Sequence, residues 1–157
     1  MKKSVLVSLL MLGSVATANA APLCYHTNEA EAEQAMRYQA KLMVLSDTCR
    51  SDAYTQFVHR NASVISGYQH DLIGYYRRAD GRHAENAFDS YITRLANEYA
   101  LGAGKEPLAS LCAKSAEFLS QAPNLGKDEF RHYVVAQMAV ERPSHPACAN
   151  ERLEAGR

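Results

Sequence analysis

The chain has 157 residues, 47% hydrophobic and 22% charged, with 17 basic and 17 acidic side chains and a formal net charge of 0. A chain of this length holds one domain and one core, and its composition excludes a disordered, collagen-like or multi-domain protein. It also lacks the basic excess that binding to nucleic acid phosphates demands.

The N-terminus has the layout of a secretory signal. Met1-Lys2-Lys3 is followed by an apolar run from Val5 to Ala16, softened by Gly13 and Ser14, and then by the small residues of Ala18-Asn19-Ala20. This pattern places the signal at residues 1–20 with a cut after Ala20, and its apolar run is too short to anchor the chain in a bilayer. Pro22-Leu23 ahead of Cys24 lacks the small residue that lipid attachment at a cysteine requires. Removing Lys2 and Lys3 leaves 15 basic against 17 acidic side chains, a charge of −2. The expected product is a helical domain over 21–157 in the periplasm or outside the cell, with no membrane span and a frayed tail after residue 148.

Periodicity within that domain is helical, with no sustained alternation and no Asn-Gly or Asp-Gly hairpin turn. The first helix is expected from Asn28, capped by its side chain with Glu31 closing a capping box, and ends near Ser46-Asp47. Met36, Ala40, Met43 and Val44 form its inner face. The second runs from about Ser51 to Arg78. Stepping 100° per residue puts Tyr54, Phe57, Val58, Ile65, Tyr68, Leu72, Tyr75 and Tyr76 in one arc of about 100°, with Asn61 mid-arc. A third helix follows Ala79-Asp80-Gly81, turns Ala84, Phe88, Tyr91, Ile92 and Leu95 inward, and stops at Gly102–Gly104. The fourth starts at Pro107 with Leu108, Leu111, Cys112, Phe118 and Leu119, and Pro123 closes it. The fifth spans Lys127 to Glu141 with Phe130, Val134 and Met138 inward. Short connections between about five helices predict an all-α, disulfide-bonded, up-and-down bundle.

Four cysteines in an exported domain read as two disulfides and no free thiol. The sequence has no C-x-x-C pair for zinc or thiol exchange and no C-x-x-C-H for haem. An alternating helix path brings Cys49 and Cys112 to one end, which favours Cys49–Cys112 together with Cys24–Cys148. With Cys24 and Cys148 in terminal segments, Cys49–Cys112 is expected to be the more important bridge.

Opposite the apolar arc of the second helix, His59, Ser63, Gly67, His70 and Gly74 share a stripe of about 80°. Two glycines in a helix weaken it, so close approach by a helix, ligand or partner protein is the functional reading, and a tolerated solvent face is the plain one. His59 and His70 lie about 16 Å apart along the axis and cannot hold one metal ion. Asn61 reads as a buried, paired polar group, and its sequon with Ala62-Ser63 as incidental. Asp128 and His132 have the spacing of a metal half-site, but Asp128 in a first turn is better explained by the helix dipole. His26 and His145 flank Cys24 and Cys148, so these four groups form the sharpest metal hypothesis, set against the disulfide. The tyrosines suggest either a core or a haem or aromatic pocket.

The stretch Leu42-Met43-Val44, Cys49, Asp52-Ala53-Tyr54, Phe57 and Arg60, with Leu95-Ala96-Asn97-Glu98 and Leu111-Cys112, resembles small exported helical proteins of bacteria. That resemblance implies a compact disulfide-bonded helical domain and no assigned activity, so it transfers no catalytic residue. No catalytic motif occurs and no cofactor is implied. The leading expectation is therefore a domain that binds a protein partner or an envelope component. The alternatives are a metal or haem binder using His and Tyr side chains, or an enzyme assembled only in the fold, for example around Asp52, Arg60 and Glu98.

Overall fold

The computed structural model describes residues 23–149; the expected signal at 1–20 and all but the first residue of the expected tail after 148 lie outside the described residues. The order is α1 (Thr27–Thr48), α2 (Ala53–Asp80), α3 (Ala84–Ala103), α4 (Leu108–Gln121) and α5 (Lys127–Val140), with 3-10 turns at Gly81–His83 and Ala122–Asn124. The fold is all-α. Extended pairing among the described residues is confined to an isolated parallel bridge between Tyr25 and Ala147. No helix of the described residues is long and apolar enough to cross a membrane.

The packing differs from a simple up-and-down path. Helix α1 is the central element, packed against α2, α3, α4 and α5, whereas α4 has little contact with either α3 or α5. The reason lies in its composition. Ala30, Ala32, Ala35 and Ala40 are buried on several sides of α1, and small side chains let neighbouring helices approach closely all round. The expected inner face of α1 was thus too narrow: Met36 and Ala40 are buried, Met43 and Val44 only half-buried, and Leu42, Leu45 and Tyr38 complete the core.

The start of α1 also moves. Its cap is His26, whose backbone N–H donates to Glu29 Oε2 at 2.8 Å, so the carboxylate that reaches back is Glu29 and not Glu31. The Tyr25–Ala147 bridge fixes the chain up to His26, and the helix begins directly after it. In α4, Pro107 is the cap and Leu108 points outward at 60% exposure. Leu111 and Leu119 face inward as expected, joined by Ser115.

Helix α2 keeps the expected face, with Phe57, Ile65, Tyr68, Leu72 and Tyr75 buried and Tyr54, Val58 and Tyr76 half-buried. Asn61, fully buried, donates from Nδ2 to the carbonyls of Phe57 at 3.1 Å and Leu125 at 3.0 Å. It therefore latches the turn after α4 onto α2 through a carbonyl that would otherwise lack a partner.

Both disulfides take the expected connectivity, Cys24–Cys148 and Cys49–Cys112 with Cα separations of 5.0 and 5.6 Å, and no cysteine is free. The terminal segments they involve are not loose ends. Tyr25 N–H donates to the Pro146 carbonyl and Cys148 N–H to the Tyr25 carbonyl, both at 2.9 Å, and the Tyr25 side chain is fully buried.

On the outer stripe of α2, His59, Ser63, Gly67 and His70 are exposed and Gly74 is half-buried. A Cβ at Gly67 or Gly74 would meet nothing within 4 Å, so no helix of the described residues approaches closely there. Each replacement by Ala should raise stability by about 0.5–1 kcal/mol, by restricting the unfolded chain and improving helix propensity. Thermal unfolding of Gly67→Ala should show a midpoint a few degrees higher, and a lower midpoint would mean that the stripe is covered.

Candidate functional site

An apolar cleft with a volume of about 350 Å³ lies between α1, α2 and α3. Met36, Gln39, Ala40 and Met43 on α1 form its floor. Tyr54 and Gln69 stand on the α2 side, and Phe88, Asp89, Ile92 and Thr93 on the α3 side. The sequence assigns Met36, Ala40, Met43, Tyr54, Phe88 and Ile92 to inner faces. Three mutually packed helices, α1, α2 and α3, bring them to one cleft.

The cleft's polar groups are sparse. Gln39 Nε2 donates to the Tyr54 hydroxyl at 3.3 Å, joining α1 to α2, while Gln39 Oε1 is sealed from solvent with no hydrogen-bond partner. Asp89 is the sole charged lining residue; it is exposed and has no ion pair among the described residues. Met43 and Tyr54 continue the cleft into a depression beside Asp47, while Asp89 and Thr93 continue it along the outer face of α3 towards Glu98.

The buried ionisable groups lie elsewhere and hold the terminal strap, the segments 24–26 and 144–148 joined by the Tyr25–Ala147 bridge and the Cys24–Cys148 disulfide. Glu33, at 0% exposure, accepts from Arg37 Nη2 at 2.7 Å and Nε at 3.1 Å, and from the backbone N–H of Ser144 at 2.9 Å. Arg37 also reaches Glu141 at 2.9 Å, and Gln34 Nε2 donates to the Glu141 carbonyl at 3.0 Å. One turn earlier, buried Glu29 pairs with Arg78, which also donates to the Cys24 carbonyl. Carboxylates are buried here because each faces a guanidinium and a backbone N–H.

Tyrosine rings fill the rest of the interior. Tyr38 contacts the rings of Phe57, Phe118, Phe130 and Tyr133 with centroids 4.9–5.4 Å away. In this cluster the rings are one another's partners. Burial pushes the Tyr76 hydroxyl up to about 12 and raises Tyr25, Tyr38, Tyr68 and Tyr91 as well. A hydroxyl whose folded pKa exceeds its unfolded value of about 10 supports the fold fully below pH 10, and that support is lost as pH rises through the folded values. Tyrosinate absorbance should therefore appear above pH 10 in step with the loss of helical circular dichroism. Ionisation of all nine tyrosines with the helices intact would contradict this packing.

Among the described residues no group of three or more His, Cys, Asp or Glu side chains is placed to hold a metal ion. The Cys/His cluster fails because both cysteines are in a disulfide and His145 packs against the rings of Tyr25 and Tyr75 at 4.9 and 5.1 Å. His132 is exposed, and Asp128 pairs with Arg131. Asp52, Arg60 and Glu98 are all exposed, and the Asp52 carboxylate is occupied by Gln56 at 2.7 Å.

No family model matches the sequence, and neither a curated protein nor a solved structure is similar to it.

Proposed function

We propose that residues 21–157 are exported after removal of 1–20 and serve as a disulfide-bonded helical binding module, with the α1–α2–α3 cleft as the binding site. The observation that carries this reading is the cleft itself: an open apolar cavity of about 350 Å³ in a bundle whose buried charges are all committed to the strap. A volume of this order suits a small molecule, whereas a stable protein partner would cover about 800 Å² of surface. An envelope-derived amphiphile is thus favoured over a folded protein, and the two disulfides accord with an oxidising compartment. The His59–Gly74 stripe is the surface left for a protein partner, since no described residue outside α2 comes within 4 Å of a Cβ at Gly67 or Gly74.

The test uses Nile red, an uncharged apolar dye whose fluorescence rises in dry surroundings. The native chain should bind one dye with saturation. Thr93→Trp places a large ring over the mouth from an exposed position and should weaken binding at least tenfold with helical content unchanged. Equal binding by this variant, or no saturable binding by the native chain, would refute the cleft as the site.

A further inference from the structure

We infer that the cleft selects a cationic amphiphile, an apolar chain ending in an ammonium group, an inference that rests on the cleft being the binding site. The one charged group of the cleft's lining among the described residues is an acceptor. The Asp89 carboxylate stands exposed at the mouth with no ion pair among the described residues. A bound primary ammonium supplies donors and positive charge together, whereas a carboxylate or phosphate headgroup would bring acceptors against acceptors.

The charges around the cleft have the same sense. Asp47 lies in the depression at one end, and Glu98 lies beyond Asp89 at the other. The one cation of that outer depression, Arg94, is placed over the Tyr91 ring at 5.6 Å and stands one turn from Glu98, which offsets it. No lysine or arginine lines the cleft proper. The apolar part has a matching surface: Met36 and Met43 are flexible, polarisable side chains that adapt to an alkyl chain without a fixed shape, and Ile92 and Phe88 supply the facing wall. The tail therefore lies along α1 with the headgroup at Asp89.

Titration calorimetry with decylammonium, decanol and decanoate, each below its micelle concentration, tests this. Decylammonium should bind one per chain about tenfold or more tighter than decanoate, with decanol between them, because a single carboxylate at a partly desolvated mouth separates opposite headgroups by that order. Raising the salt to 0.5 M should narrow the gap. Asp89→Asn, a change at an exposed position, should cut decylammonium affinity about fivefold and raise that of decanoate. Decanoate binding as tightly as decylammonium, or an unaltered preference in Asp89→Asn, would overturn the inference while Nile red binding still supports the cleft. Failure of Nile red and all three decyl compounds to bind would remove the cleft reading itself.

Discussion

Replacing Glu33 by Ala should lower the unfolding free energy by about 3 kcal/mol, near the low end of the cost of breaking a buried ion pair by removing one partner. The carboxylate is fully buried, and three donors converge on it: two from the Arg37 guanidinium and one from the Ser144 backbone. Its loss leaves the guanidinium facing the core and orphans the Ser144 N–H. The effect stays near the low end because Arg37 is 21% exposed and keeps Glu141. Glu33→Met with Arg37→Met separates the two parts of the loss. Removing both charges should recover most of the stability, since apolar replacements of buried pairs are often neutral or better, and the residue of about 1 kcal/mol should reflect Ser144 alone. Denaturant unfolding of the two variants measures this. A double variant as unstable as Glu33→Ala would show that the strap, rather than the uncompensated charge, sets the cost.

The helices were legible because their apolar residues recur at helical spacing, and α2 most of all, where an arc of tyrosines and aliphatics maps directly onto the buried face. Helix α1 was harder to read for a physical reason. A helix surrounded by neighbours has no single apolar stripe, so the signal lay in its alanines and in the acidic pair Glu29 and Glu33, a residue type that is seldom buried unless paired. Their arginine partners come from Arg37 and from Arg78, 49 residues beyond Glu29. The backbone N–H that satisfies Glu33 is 111 residues away. The cleft was invisible for a related reason. Residues such as Met43 and Ile92 are half-buried, and only the three-dimensional packing of α1, α2 and α3 decides that the space between them is left unfilled.

The expectation that Cys49–Cys112 outweighs Cys24–Cys148 treated the latter as a bridge between tails, and the strap reverses it. Replacing Cys24 and Cys148 together by Ala should cost at least as much as replacing Cys49 and Cys112 together, each loss being about 4–5 kcal/mol. The crosslinks span 124 and 63 residues, and chain entropy separates loops related by a doubling by only about 0.6 kcal/mol. Contacts decide the rest. Freed from its bridge, the terminal strap can draw Tyr25 out of the core, release Ser144 from Glu33 and detach the Cys24 carbonyl from Arg78. Freed from Cys49, helix α4 keeps Leu111 and Leu119 buried and Phe118 against the Tyr38 ring at 5.1 Å. The same logic predicts where each variant opens. Without Cys24–Cys148 the amides of Tyr25, Ser144 and Cys148 should lose hydrogen-exchange protection ahead of the helices, whereas without Cys49–Cys112 they should keep it. A clearly smaller loss of thermal midpoint for the Cys24/Cys148 variant, with those amides still protected, would mean that Tyr25 and Glu33 hold the strap without the crosslink.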